Sequence, residues 1–259
     1  MLAPVVLPPE YEQWNRRWHA PFGRSVPFKG SLAWSRPVLK FRGPFVFQPN
    51  SITRRFEYPW AHAQIRSRIT AGTIVEVGGG MSGFQFVLAR EGYDVINVDP
   101  GMAAKGKGWE VTAESHQYVA RIFRSPARLI PTTLDQAALP DTSADVILSI
   151  STLEHLIDED LTAAAGEIRR TLKPGGFLIL TVDLFLDLQP FTATPRNKWG
   201  TNIDVRRFLS AAGVELIEGD RRQILGFPEF DSDAILRNRN TFLMGETSAV
   251  QCLVARPVS

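Results

Sequence analysis

The stretch Thr73 to Phe84, Thr-Ile-Val-Glu-Val-Gly-Gly-Gly-Met-Ser-Gly-Phe, limits the fold more than any other part of the chain. Thr73–Val77 is a short β-branched run with one acid near its end, which predicts a buried strand. Gly78, Gly79 and Gly80 then predict a turn where backbone can approach a ligand with no side chain in the way. Phe84–Arg90 predicts a helix whose N-terminus directs free N–H groups at that ligand. Strand, glycine turn and helix in this order make a nucleotide-type cofactor site.

From Thr73 onward strands and helices alternate, which predicts a parallel sheet covered on both faces. The expected strands are Thr73–Val77, Asp94–Val98, Arg128–Pro131, Asp145–Ile150, Phe177–Val182, Val214–Glu218 and Ala249–Ala255. Trp109, Ala113, His116, Ala120 and Phe123 share one face of a predicted helix. A second helix opens on Asp158, Glu159 and Asp160, buries Leu161, Ala164, Ala165, Ile168 and Leu172, and closes on Arg169, Arg170 and Lys173. Both charge placements suit the helix dipole, and Pro174-Gly175-Gly176 stops it. A further helix is expected over about 203–212, and the long connection 219–247 is expected to carry elements of its own or a function.

The chain of 259 residues can bury a full core. Residues 1–70 are read as an N-terminal arm and cap and 71–259 as the main domain, with 219–247 inserted on the acceptor side. The arm is rich in Pro and aromatics, with a short helix near Glu10–Trp18 and another within Ser51–Ile69 that Pro59 starts or interrupts. It holds eleven Lys/Arg against three Asp/Glu. That bias either attracts an anionic substrate or nucleic acid, or packs against the acidic remainder. No apolar run reaches the length of a membrane span, and the proline-broken start reads poorly as a signal peptide. Cys252 is the only cysteine, so neither an intrachain disulfide nor a cysteine metal cluster is available. A cytoplasmic location is the default expectation.

Gly78 to Gly83 satisfies G-x-G-x-x-G and Asp99 lies 21 residues past Gly78, a spacing that fits a dinucleotide fold. Other features point elsewhere. Glu76, two residues before the first glycine, would repel a pyrophosphate and suits a cationic ligand such as the ammonium of S-adenosylmethionine. Asp135, followed by Leu139-Pro140, offers a carboxylate after the third strand that can accept from an adenine amine. No second catalytic domain of the kind many dehydrogenases carry is evident.

Five segments occur in order: Val-Glu-Val-Gly-Gly-Gly-Met-Ser, the acidic end Asn-Val-Asp99, Asp135-x-x-x-Leu-Pro, Ser-Ala-Asp-Val-Ile-Leu-Ser-Ile-Ser-Thr-Leu-Glu-His-Leu, and Leu-Lys-Pro-Gly-Gly. Together they resemble the class I S-adenosylmethionine-dependent methyltransferases, especially the small-molecule branch with a Leu-Glu-His-Leu segment, the type 11-like methyltransferases. The resemblance covers about 73–181 firmly and the final strands loosely. It implies a Rossmann-like, doubly wound α/β fold with a seven-stranded, mostly parallel sheet whose last strand is antiparallel. It also implies S-adenosylmethionine as cofactor and S-adenosylhomocysteine as product. On this resemblance Gly78, Gly79 and Gly80 line the methionine part above Glu76, and Asp99, with Pro100 after it, takes the ribose hydroxyls. Asp135 meets the adenine amine with Leu134 near the ring, and Ser149, Ile150 and Ser151 pass beside the sulfonium. Ser82 stands where the family has a third glycine, and its hydroxyl either binds the cofactor carboxylate or caps the helix.

A sulfonium methyl is already activated, so transfer needs positioning, and a base where the acceptor is a hydroxyl. His155, just beyond the fourth strand, is the candidate base, although Glu154-His155 could equally stabilise the next helix. Asp183 is a second candidate to face the acceptor. The ubiquinone-type O-methyltransferases look similar here but use Glu-x-x-Glu-His with a metal. Ser151-x-x-Glu154-His155 lacks one carboxylate, so no metal is expected. Arg55 or Tyr58 could fold over the cofactor or simply pack. Trp199–Asn202 and Gly226–Asp231 are expected to shape the acceptor pocket, and His19, His62 and His116 to be packing residues. The expected partner is a small polar or saccharide-like acceptor methylated on oxygen. The Asn/Asp-Pro-Pro-aromatic tetrapeptide of amino-base nucleic-acid methyltransferases is absent. An NAD-dependent oxidoreductase, or a methyltransferase acting on protein or nucleic acid, stays open as the alternative.

Overall fold

The computed structural model describes residues 1–258. Its helices are α1 (Pro9–Trp18), α2 (Arg36–Arg42), α3 (Arg54–Arg68), α4 (Gly83–Arg90), α5 (Ala113–Phe123), α6 (Asp158–Thr171), α7 (Val205–Ala211) and α8 (Ser232–Arg237). The strands are β1 (Thr73–Val77), β2 (Asp94–Val98), β3 (Arg128–Ile130), β4 (Ala144–Ile150), β5 (Leu172–Phe185), β6 (Val214–Glu218) and β7 (Ser248–Pro257).

One seven-stranded sheet runs in the order β3-β2-β1-β4-β5-β7-β6. β1 pairs in parallel with β2 and β4, whereas β7 is antiparallel to both β5 and β6. The strand order reverses between β1 and β4, so their carboxyl ends part and leave a crevice there. Past the end of β6, residues 1–3 take over the free edge of β7, with Ala3 N donating to Val250 O at 2.9 Å.

One face of the sheet packs α4, α5 and the N-terminal region in a shared cluster that includes Leu39, Phe45, Phe56, Ile74, Phe84 and Val146. The other face packs α6 and α7 through residues such as Ile147, Ile168 and Phe208. Phe84, Phe86 and Leu88 of α4 are wholly buried, each stabilising the fold by about 1.5–3 kcal/mol. α4 begins where Ser82 Oγ accepts the Phe84 N–H at 3.1 Å, so of the two roles open to Ser82 the structure shows the cap.

Three expectations change. Pro59 neither starts nor breaks α3 but sits inside it. A proline has no N–H for the carbonyl four residues back, and here that carbonyl, Arg55 O, accepts from Asn15 Nδ2 of α1 at 2.7 Å. Trp109 lies before α5, not on it, because Thr112 and Ser115 form a reciprocal capping box that fixes the start at Ala113. Leu172 belongs to β5, pairing with Ala144, and β5 runs on to Phe185 because β7 pairs with it as far as Ser248.

Candidate active site

At the crevice the chain leaves β1 through the glycine turn. Gly78 has φ of 72°, and a Cβ there would meet Thr152 Cγ2 at 2.1 Å, so only glycine fits. Two buried amides hold the turn. Asn97 Oδ1 accepts from Gly79 N at 3.1 Å while its Nδ2 donates to Gly80 O at 2.9 Å. Gln85 Nε2 also donates to Gly80 O, and its Oε1 is 2.7 Å from His116 Nε2. The bond partner is an amide oxygen, so His116 carries its proton on Nε2. Burial pushes its pKa down to about 4, so it serves as a neutral packing residue.

A cleft opens above the turn. Of the residues expected to bind cofactor, Glu76, Gly78, Gly79, Gly80, Ser82, Asp99, Pro100, Ile150 and Ser151 line it. Leu134 and Asp135 line an adjoining cavity that shares Gly78, Pro100 and Thr152 with the cleft. Ser149 lines neither: it is buried in β4, and its hydroxyl donates to Val77 O. Its neighbour Ser151 is turned into the cleft with φ of 40°, a left-handed conformation of the kind found at functional sites.

Asp99 is fixed at its β2 end by the backbone N–H groups of Gly80 and Gly101, each at 2.7 Å. Glu76 lies beneath the glycines, 1% exposed, with Oε2 unpartnered among the described residues. Burial, reinforced by Asp99, pushes its carboxyl up to about 8.

The N-terminal region supplies the roof, and sequence reading missed most of it. Gln48 Oε1 accepts the Met81 N–H at 2.8 Å and lines the cleft with Asn50, Arg54 and Tyr58. Arg55 is exposed; its neighbour Arg54 reaches the site instead. Arg54 Nη1 lies 2.6 Å from both carboxylate oxygens of Glu57. Glu57 Oε2 also accepts from Ser151 Oγ at 2.8 Å and Thr181 Oγ1 at 2.6 Å. Glu57, the one acid in residues 54–60, belongs to no motif, so only the i,i+3 spacing of Arg54 and Glu57 could have signalled the pair.

A second cavity of about 390 Å³ shares Pro49, Asn50, Arg54, Trp109 and His155 with the cleft, and continues past Asp183, Phe185, Trp199 and Gly245–Ser248. Thus Trp199 does help to shape it, whereas Gly226–Asp231 does not reach it. Lys107 Nζ sits 3.3 Å from the centroid of the Trp199 ring, at the rim. His155 Nδ1 is 2.5 Å from Trp199 O. A carbonyl only accepts, so Nδ1 carries the proton and Nε2 keeps its lone pair. Burial lowers the His155 pKa, outweighing the Trp199 carbonyl and Asp183. Asp183 is raised well above the usual carboxylate range by burial and by Glu154 and Glu57.

Residues 75–180 match the family model described as a methyltransferase domain. Over 113 residues the chain is 26% identical to phosphoethanolamine N-methyltransferase 1 of Triticum aestivum, covering 44% of this chain and 22% of that one. Over 87 residues it is 30% identical to a protein of Mycolicibacterium smegmatis described as a probable S-adenosylmethionine-dependent methyltransferase, covering 32% and 33%. The chain therefore spans a third or less of the length of these relatives. The fold is similar to geranyl diphosphate C-methyltransferase of Streptomyces coelicolor A3(2), solved with Mg2+, geranyl-S-thiolodiphosphate and S-adenosyl-L-homocysteine. TM-score is 0.55 at 14% identity, over 99% of this chain and 100% of that one. The family uses S-adenosylmethionine, and the unpartnered acid under the glycine turn and the anchored acid ending β2 suit its amine and ribose. Family match, strand order and crevice agree: residues 75–180 form a methyltransferase domain.

Proposed function

We propose that this protein transfers the methyl group of S-adenosylmethionine to an oxygen of a small polar or saccharide-like acceptor, leaving S-adenosylhomocysteine. The observation that carries the reading is the continuity of the two cavities across Arg54, Trp109 and His155, beside an imidazole whose Nε2 is kept as the acceptor. Residues 1–70 act as the cap, and the end of the 219–247 insertion, Gly245–Thr247, forms part of the acceptor wall. A cytoplasmic setting goes with this reading.

Bound S-adenosylmethionine supplies a methyl carbon already activated by its sulfonium. Glu76 would take the amino group, Asp99 the ribose hydroxyls, and Leu134 with Asp135 the adenine. Gly78, Gly79 and Gly80 would leave room for the methionine part, and Ile150 and Ser151 would border the sulfur. His155 Nε2 would accept the proton of an acceptor hydroxyl as that oxygen takes the methyl group. Asp183, its carboxyl raised by burial and by Glu154 and Glu57, would face the acceptor from the same cavity wall. Trp199 holds the imidazole orientation, and the roof of Asn50, Arg54 and Tyr58 limits water.

Calorimetry and turnover test the reading together. S-adenosylhomocysteine should bind, NAD should give no heat, and a panel of phenols, sugars and hydroxy acids should yield S-adenosylhomocysteine with at least one member. Binding of NAD in its place would sink the reading. Methylation confined to amines, protein or nucleic acid would replace the acceptor class.

A further inference from the structure

Between Glu12 and Glu57 the chain has nine Lys/Arg and no Asp/Glu, and of these nine the proposed site uses Arg54 alone. Glu57 is buried behind Arg54, so this segment shows no acid between Glu12 and its own end. Four of its large apolar side chains are more than half exposed: Phe22 at 52%, Leu32 at 58%, Trp34 at 52% and Phe41 at 54%. An exposed apolar patch set among charges marks an interaction surface.

Contacts join these residues into one patch. The Arg24 guanidinium lies 4.7 Å from the Phe41 ring centroid, and Arg24 N donates to Arg42 O at 2.8 Å. The Arg42 guanidinium lies 5.2 Å from the Trp34 ring, and its Nη1 donates to Ala33 O at 3.3 Å. Leu32 and Trp34 share the turn Ser31–Trp34, and Phe22 adjoins Gly23, which abuts Val46. Exposed Lys29, Arg36 and Lys40 belong to the same segment. Helix α5, packed beside α2, brings Glu114 together with Arg121 and Arg124, so the patch stays basic.

We propose that this patch docks the protein on an anionic lipid surface. No helix is long and apolar enough to cross a membrane among the described residues, so the contact is interfacial. Phe22, Leu32, Trp34 and Phe41 enter at the headgroup level while the arginines and lysines meet lipid phosphates and carboxylates. A single-stranded nucleic acid would also answer the charge, but it needs open aromatic faces on which bases stack. Here guanidinium groups already cover Phe41 and Trp34.

Vesicle co-sedimentation of the full chain tests the proposal. Binding should be about tenfold or more stronger to phosphatidylcholine vesicles with about one-third phosphatidylserine than to phosphatidylcholine alone, and should fall steeply with added salt. The Arg36→Glu/Lys40→Glu and Trp34→Ala/Phe41→Ala variants should each lose about tenfold or more of that binding, with unchanged circular dichroism and unfolding midpoint. Absent binding to anionic vesicles, equal binding to neutral ones, or full binding by a folded charge-reversal variant overturns the proposal. So does retention of a single-stranded oligonucleotide with no retention of vesicles. Where a variant fails to fold, the lipid and salt series on the unaltered chain decides.

Discussion

Arg54 Nη1 sits 2.6 Å from both oxygens of Glu57, beneath the opening between the two cavities, with side-chain exposures of 16% and 0%. Burial alone would raise the Glu57 carboxyl, but Arg54 and the hydroxyls of Thr181 and Ser151 outweigh it and hold it below its ordinary value. Glu57→Gln strands a buried guanidinium and should cost about 3–5 kcal/mol in urea unfolding at neutral pH. A carboxyl with a depressed folded pKa stabilises the fold fully above its unfolded value, near about 4.3, and loses that contribution as pH falls through the folded one. The gap between Glu57→Gln and the unaltered chain should therefore narrow in acid. A gap constant down to the acid limit would remove the pair from the stability account.

Glu76 has the opposite sign. Its carboxyl is raised to about 8 by burial and by Asp99, so between its unfolded value and about 8 the folded state holds a proton that the unfolded state has released. Its penalty is absent in acid and grows with pH across that window. Glu76→Gln should stabilise the ligand-free protein on the order of a few kcal/mol at pH 8 while weakening S-adenosylhomocysteine by about tenfold or more. Melting curves and calorimetry on the same samples read both effects. Glu154, also raised to about 8 by burial, retains its own slope in this variant.

The β1–α4 unit was legible because three local signals coincide: a β-branched run, glycines that tolerate φ above zero, and Ser82 as cap. The same holds for β2 ending on Asp99 and for α6 with its acidic start and basic end. The roof was not legible. Gln48, Asn50 and Arg54 reach the cleft because the start of α3 lies at the carboxyl end of the sheet, where Glu57 meets Ser151 and Thr181, a tertiary placement that no periodicity in residues 1–50 encodes. Trp109 was assigned to a helix by spacing, although the Thr112–Ser115 capping box overrides spacing and frees it to wall both cavities. Ser149 has the right chemistry for the site, but strand alternation turns it away from the cleft.

Pro59 inside α3 gives a prediction about stability alone. Asn15→Leu leaves Arg55 O without its 2.7 Å donor, and a partly buried carbonyl without a partner should cost about 1 kcal/mol. Pro59→Ala restores an N–H four residues past Arg55. The two changes should therefore be less than additive in a double-mutant cycle. Strict additivity in denaturant unfolding would mean that water, rather than Asn15, satisfies that carbonyl.

His155 gives the catalytic prediction. Its Nδ1–H is committed to Trp199 O, so only Nε2 can take a proton, and burial keeps the imidazole neutral below its ordinary pKa. His155→Ala should leave S-adenosylhomocysteine affinity nearly unchanged and slow turnover by about a hundredfold or more. In the unaltered enzyme kcat/KM should stay level from neutrality downward and fall only below about pH 6.5, where the imidazole gains its proton. A base removes the proton of a hydroxyl acceptor, so the loss in His155→Ala should shrink for acceptors whose hydroxyl is more acidic. A rate that is unchanged in the variant, or an acid limb that survives it, would assign proton transfer to another group, with Asp183 the next to test on the same cavity wall.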